Sequence, residues 1–281
     1  MSQLRTNGSK SFGAQIKKRR NVSADSVELP TGQHPDQRPA AAVDARYNLG
    51  CMTMSDLVRG YVTYPPIMFY AVLASTSFAI AILQTRTFAP AAIAILFAAL
   101  LYPIVWYLLH RFVLHGSFLY KSPLTARLWK RIHFDHHQEP RDMTVLFGAL
   151  YTTVPTMVII ACPLGWAIGG MSGSAAALGT AVVCTCYYEF CHCVQHLLFT
   201  PKSRFLRRMK RLHLAHHFHN ETGNFGITNF VCDRLFGTYY QRIDDTSASA
   251  TVFNLGYTDE EAEHYPWVAA FCGPRRRSRP M

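Results

Sequence analysis

From Met143 to Tyr188 the chain runs 46 positions without an Asp, Glu, Lys or Arg. About 20 apolar helical residues cross the hydrocarbon core of a bilayer, so this stretch is long enough for two crossings. The whole chain points the same way. Only 16% of its 281 residues are charged and 49% are hydrophobic, against about 25% charged in soluble domains. Net charge is +11. A basic balance suits nucleic acid or an anionic membrane surface; with apolar spans present, the membrane is the expected partner and nucleic acid is not.

Four spans are expected. The first covers 67–83 after the Pro65–Pro66 pair, and the second 90–109, kinked at Pro103. The third covers 145–165, with Pro155 and Pro163 inside it. The fourth runs from Ala175 into a pair of histidines, His192 and His196. Ahead of the first span, a short helix capped at Ser55 carries Leu57, Val58, Tyr61 and Val62 on one side, as a helix lying on the membrane surface would. Lysine and arginine counts set the orientation. The stretch to Arg59 holds 9, the 111–142 loop 6, the part beyond His196 12, and the two short turns only Arg86. The side with 27 of the 28 cations is expected to be cytoplasmic, with both termini on it. The first 45 residues are polar, basic and without an apolar core, so disorder is expected and a secretory signal is not. Four of the eight cysteines, Cys184, Cys186, Cys191 and Cys193, crowd the fourth span at spacings that fit neither a zinc ribbon nor an iron–sulfur cluster. They read as small residues packing a helix interface.

Ten of the thirteen histidines form a pair and a triplet, twice: His110 and His115, then His133, His136 and His137; His192 and His196, then His213, His216 and His217. At roughly 100° per helical residue, each triplet fits within an arc of about 100° and His192 and His196 stand about 40° apart. His110 and His115 would be about 140° apart on a straight helix, so the helix is expected to end or distort between them. Single histidines are usually structural. Ten in this pattern read as ligands, because imidazole is the commonest metal ligand. Both pairs sit at span ends and both triplets in the loops beyond, so all four motifs can meet on the cytoplasmic side. Ten nitrogen donors suit two ions. Imidazole-rich sites of higher coordination suit iron, with zinc, copper and nickel not excluded by ligand type. No H-E-x-x-H is present, which argues against a zincin protease. Glu189, one turn before His192, and Asp142 are candidates to orient ligand histidines; a carboxylate facing water at Glu189 and a helix cap at Asp142 are the alternatives. Phe225, Phe230 and Phe236 either line an acyl groove or pack a core. His219 falls just outside the last triplet, and His34 and His264 have no partners in the pattern.

These motifs carry a resemblance. HRFVLHGS, HFDHHQEPRD, YEFCHCVQH and HLAHHFHNETGNFGITNFVCDRLFGT resemble, in order, the histidine motifs of the membrane fatty acid hydroxylase and sterol desaturase superfamily. The likeness covers roughly 55–240 and is nearest to fatty acid 2-hydroxylases. Three residues separate His192 from His196, as in the fatty acid branch, whereas carotenoid hydroxylases tend to have four there. Sterol oxidases usually have a shorter first interval than His110 to His115. Leu197 stands where fatty acid 2-hydroxylases often have another histidine, and no fused haem domain is expected ahead of the spans. The resemblance implies an all-α integral membrane enzyme: four transmembrane helices under a cytoplasmic, helical, histidine-rich cap. It implies two iron ions on the ten histidines (zinc in their place in a purified form), dioxygen as co-substrate and hydroxylation of a lipid acyl chain. The organisation expected is a disordered tail at 1–45, a hydroxylase domain at 46–245 and a partly disordered tail at 246–281, in a bacterial inner membrane or endoplasmic reticulum. Electrons must come from a separate carrier, an acidic ferredoxin or small haem protein, drawn to Arg204, Arg207, Arg208, Lys210 and Arg211. The rival readings are a sterol or carotenoid hydroxylase or desaturase, a histidine-rich metal transporter, and a bis-histidine haem carrier.

Overall fold

In a computed structural model of the chain, residues 47–271 are described; the amino-terminal tail, His34 and the Arg275–Arg279 run lie outside them. The described residues are helical and contain no strand beyond one isolated bridge, Asn48 to Asp142. Helix α1 spans Met54–Val62. Its cap is Thr53 and not Ser55, because only Thr53 has an Asp three residues on to complete a capping box: Thr53 accepts from the Asp56 amide, and Asp56 accepts from the Thr53 amide. Leu57 and Tyr61 turn inward, Val58 and Val62 outward, and the Tyr61 hydroxyl donates to the carbonyl of Cys186. The helix is thus docked on the bundle by one face.

Among the described residues, three helices are long and apolar enough to cross a membrane: Pro65–Leu83, Phe88–Leu114 and Met143–His196. The first is α2 and the second contains α3 (Phe88–Leu108). Their outer faces expose Val72, Leu83, Leu96 and Leu100, each at 60% or more of full accessibility. So large an apolar surface is foreign to a water-soluble monomer and suits lipid. Within the third, Met143–Leu146 forms a separate turn, α6, and the long helix α7 starts at Leu150 and ends at His196. It begins later than expected because Asp142 caps α6 and the backbone is extended at Phe147.

Helix α7 breaks at Gly169 and Gly170, whose φ/ψ of −149°/27° and 58°/−140° are not helical. The second conformation lies in the left-handed half of the map, open to glycine. The two arms then run back alongside each other. The Thr185 hydroxyl meets the Met157 sulfur at 3.1 Å, and the Gly148 amide approaches Glu189 at 3.4 Å. Gly165 and Gly173 touch backbone to backbone; a Cβ on either would sit 2.3 Å from the other's carbonyl oxygen. The second arm buries small residues, Ser172 to Ala177 with Gly179 and Ala181, which let α2 and α3 approach closely. Tyr70 with Thr153 (2.5 Å) and Tyr102 with Thr185 (3.1 Å) pair hydroxyls across the helices. Pro103 lies inside α3 without ending it.

Beyond the long helices come α4 (Ala126–Trp129), α5 (Asp135–Gln138), α8 (Arg204–Phe218), α9 (Val231–Leu235), α10 (Asp259–His264) and α11 (Trp267–Phe271). Residues 251–268 pack back onto the first histidine loop. Leu255, Tyr257 and Val268 share a buried cluster with Tyr120, Trp129 and Phe134.

Candidate metal centre

Each histidine motif is carried by a segment whose backbone suits its spacing. After α3 the chain winds as a π-helix, Leu109–Leu114, with the His115 amide bonded to the His110 carbonyl at 3.1 Å. Bonding between residues five apart stacks His115 over His110, which removes the divergence a straight α-helix would give. The first triplet straddles a second π-helix, Lys130–Phe134, and α5. His192 and His196 close α7, and His213, His216 and His217 face inward from α8.

All ten converge. Nine are buried and His115 is half-buried. One cluster comprises His136, His192, His196, His213 and His217; a second comprises His110, His115, His133 and His216; His137 joins His216 and His217 between them. In each group the nearest ring nitrogens lie within 4.8 Å of one another. The Nε2 atoms point at each other. His136 stands 3.0 Å from His192 and 3.1 Å from His217, and His196 stands 2.9 Å from His213. His133 stands 3.0 Å from His115 and 3.1 Å from His110. Ligands about 2.1 Å from one ion and at right angles to one another stand about 3.0 Å apart, so these separations fit donors sharing a cation.

Protonation agrees. Burial, reinforced by neighbouring imidazoles, holds His115, His133, His136, His213, His216 and His217 well below the ordinary histidine value. Burial takes His137 down to about 3, although the Val252 carbonyl raises it. Neutral imidazole is the form that binds metal.

The two proposed orienting carboxylates do not hydrogen-bond to any of the ten histidines. Glu189 is buried with Oε2 4.0 Å from His192 Nδ1, longer than a hydrogen bond, and its Oε1 faces the Gly148 amide. Asp142 takes the cap alternative and not an orienting role: it accepts from the Thr144 amide (2.8 Å) and hydroxyl (2.7 Å). The orienting groups are backbone carbonyls instead. His110 Nδ1 meets Phe225 O at 2.6 Å, His216 Nδ1 meets Gly223 O at 2.8 Å and His137 Nδ1 meets Val252 O at 2.9 Å. Sequence motifs record side chains, so these carbonyls carried no signal there. His219 bonds Thr246 O (3.0 Å) and His264 is exposed, so neither joins the centre.

Phe225 packs against the rings of His110, His115 and His216 at 5.1–5.5 Å. Phe230 is buried beside Met209 and Leu212, and Phe236 is half-exposed, stacked on Tyr107. An apolar cleft opens between α3 and the two arms of α7, lined by Leu101, Tyr102, Trp106, Leu109, Met157 and Ile160 among others. Its Trp106 stacks on Tyr188 at 5.3 Å, and Tyr188 lies 6.1 Å from the His192 ring. In the basic run, Arg204 and Arg207 are exposed, whereas Arg208 donates to the Tyr239 hydroxyl at 2.5 Å and Lys210 donates to the Leu197 carbonyl.

A bundle of long apolar helices closed by ten convergent histidines defines a class of histidine-rich membrane protein. The fatty acid hydroxylase family model matches residues 95–238, about half of the chain and every one of the ten histidines. The chain belongs to the fatty acid hydroxylase family. It is 33% identical over 158 residues to the ceramide very long chain fatty acid hydroxylase SCS7 of Saccharomyces cerevisiae, covering 51% of this chain and 39% of that one. It is 29% identical over 146 residues to the fatty acid 2-hydroxylase of Rattus norvegicus, covering 50% and 37%. It is 26% identical over 174 residues to the dihydroceramide fatty acyl 2-hydroxylase FAH2 of Arabidopsis thaliana, covering 62% and 69%. The matches thus span about two fifths of the length of the first two of these relatives. A solved structure described as full-length scs7p with only the hydroxylase domain visible shares the fold, with a TM-score of 0.57 at 20% identity over 74% of this chain and 72% of that one.

Proposed function

We propose that this protein is a membrane lipid hydroxylase that inserts one oxygen atom of dioxygen into a C–H bond of an acyl chain. The observation that carries the reading is the convergence of ten imidazoles in two adjacent clusters beside an apolar cleft. His136, His192, His196, His213 and His217 would hold one ion and His110, His115, His133 and His216 the other, with His137 between them. Two iron ions, when bound, supply the dioxygen-activating redox chemistry. The protein's part is to hold neutral imidazoles in place and to position an alkyl chain that has no polar handle. The cleft is suited to such positioning, since its walls are apolar and one end reaches Trp106 and Leu109, beside the histidines. A fatty acid or acyl lipid is the substrate class, in keeping with the names of the relatives.

Hydroxylation leaves the second oxygen atom to become water, which consumes two electrons and two protons. A ferredoxin or small haem protein supplies the electrons from the cytoplasmic face, where Arg204 and Arg207 are exposed. The two arms of α7, 150–168 and 171–196, are about 28 and 39 Å long at 1.5 Å per residue. Each exceeds the minimum of about 17 residues for a crossing, which supports four crossings, and the one-sided cations support a cytoplasmic histidine cap with both termini on that side, in a bacterial inner membrane or endoplasmic reticulum. The test is lipid profiling of cells with and without the protein. The expected result is a lipid species heavier by one oxygen atom that vanishes in the His136→Ala variant; identical profiles in producing and non-producing cells would refute the function.

A further inference from the structure

Two of the histidines in the four-membered cluster take their aim from a single loop. His110 Nδ1 donates to Phe225 O at 2.6 Å and His216 Nδ1 donates to Gly223 O at 2.8 Å. A proton held on Nδ1 leaves Nε2 bare, as a ligand requires. The position of loop 223–226 therefore sets both the tautomer and the direction of two of the four donors.

What holds that loop is a buried carboxylate. Asp233, in α9, is fully buried and accepts from the Phe225 amide (2.8 Å), the Gly226 amide (2.9 Å) and the Thr238 hydroxyl (2.8 Å). Charge-assisted bonds of this kind are the strong ones. The seat is tight: a Cβ on Gly226 would lie 2.0 Å from Asn229 O and 2.9 Å from Asp233 Oδ2. Asn224, in the left-handed region at φ 55°, stitches the same loop to Tyr240 by bonds of 2.9 and 3.1 Å.

The other cluster is built differently. Nδ1 of His136, His192, His196, His213 and His217 has no hydrogen-bond partner among the described residues. Asp233 itself accepts only from the Phe225 and Gly226 amides and the Thr238 hydroxyl among the described bonds, and the loop meets the end of α7 past that seat, where Gln195 donates to the Ile227 carbonyl at 2.7 Å.

We propose that Asp233 is the positioning residue of the four-histidine site: through the Phe225 and Gly226 amides it fixes the loop whose carbonyls orient His110 and His216. The proposal rests on the two-ion reading and adds an asymmetry to it. Damage at Asp233 weakens one ion and spares the other, whereas a merely structural role would weaken both.

The test uses zinc, which is redox-silent, loaded onto the full chain in detergent and dialysed against graded EDTA, with zinc per chain read by elemental analysis. Wild type is expected to hold two ions. In Asp233→Asn one ion is expected to leave at about 10–100-fold weaker chelation, the usual cost of losing an outer partner, while the other is unmoved. Adding His115→Ala to Asp233→Asn should weaken no second ion, because both changes strike the same site; adding His213→Ala should weaken both. Gly226→Ala, which leaves the carboxylate in place and displaces only the loop, should repeat the Asp233→Asn result and decides the matter if that variant does not fold. Two ions held with wild-type resistance in Asp233→Asn or Gly226→Ala would overturn the proposal, and so would equal weakening of both ions. A wild-type chain that holds no zinc would sink the two-ion reading itself, and the asymmetry with it.

Discussion

The histidine cap should fail in mild acid, and the structure gives the size of the effect. Seven histidines outside the spanning helices, His115, His133, His136, His137, His213, His216 and His217, have native values held below 6.5, chiefly by burial. As pH falls through 6.5, an opened cap takes up protons that the closed cap refuses. Stability is therefore fully present above the opened-state value and is lost progressively below it, down to the native value of about 3 for His137. One pH unit below 6.5 the loss is about 1.4 kcal/mol for each histidine. Seven together give about 10 kcal/mol, an upper figure, because protons crowded onto neighbouring rings repel each other. That rivals the whole stability of a typical domain, about 5–15 kcal/mol. Bound metal shifts the midpoint downward but not the sign, since protons and metal compete for the same nitrogens. The assay is zinc retained per chain, with tryptic cleavage of the cap followed in parallel, as pH is lowered from about 7.5 to about 5. Release should be steep, coupled to several protons, and coincide with cap cleavage. Full retention of zinc and protease resistance at about pH 5 would refute the reasoning.

Other consequences are simpler to state. His136→Ala or His216→Ala should abolish product and lower bound metal, whereas His264→Ala, on an exposed side chain, should do neither; elemental analysis and lipid profiling check both. In a cysteine-free background, single cysteines at Thr87 and Met171 should react with an impermeant reagent from outside, and one at Ser203 only from inside; all three positions are exposed. Gly165→Ala drives a methyl toward the Gly173 carbonyl, where a Cβ would be 2.3 Å away. It should cost about 1–3 kcal/mol or more, read as a lower unfolding temperature in detergent. In a reconstitution with lipid, dioxygen and an acidic carrier, neutralising Arg204 and Arg207 should slow turnover and flatten its salt dependence.

Much of this molecule is legible in its sequence, because the constraints there are coarse and strong. A charge-free run of 46 residues forces a membrane-length helical element, whatever its details. The histidine pattern names the ten rings that converge because imidazoles are side chains, and side chains are what a sequence lists. The likeness to fatty acid hydroxylases rests on those same motifs, and the family match covers them. Boundaries are less legible. The cap falls at Thr53 and not Ser55 because capping depends on which residue has its acid partner three places on, and the turn between the arms of α7 tightens to two glycines.

The supporting layer is hidden for a different reason. The five-residue interval of His110 and His115 signals a distortion, but an ended helix and a π-helix answer it equally well in sequence, and only the 3.1 Å bond from the His115 amide to the His110 carbonyl separates them. Orientation of the rings poses a harder problem. A search for orienting groups naturally turns to nearby carboxylates, and so to Glu189 and Asp142. Yet the groups that bond the rings are the carbonyls of Gly223, Phe225 and Val252, and every residue type offers a carbonyl. The trace such a layer leaves in a sequence is indirect. It lies in the residues that let a backbone take an unusual path, here two glycines and an asparagine within four positions, followed by an aspartate that can accept their amides. G-N-F-G with an acid seven residues after its last glycine therefore holds real information about the histidine clusters, none of whose rings it contains.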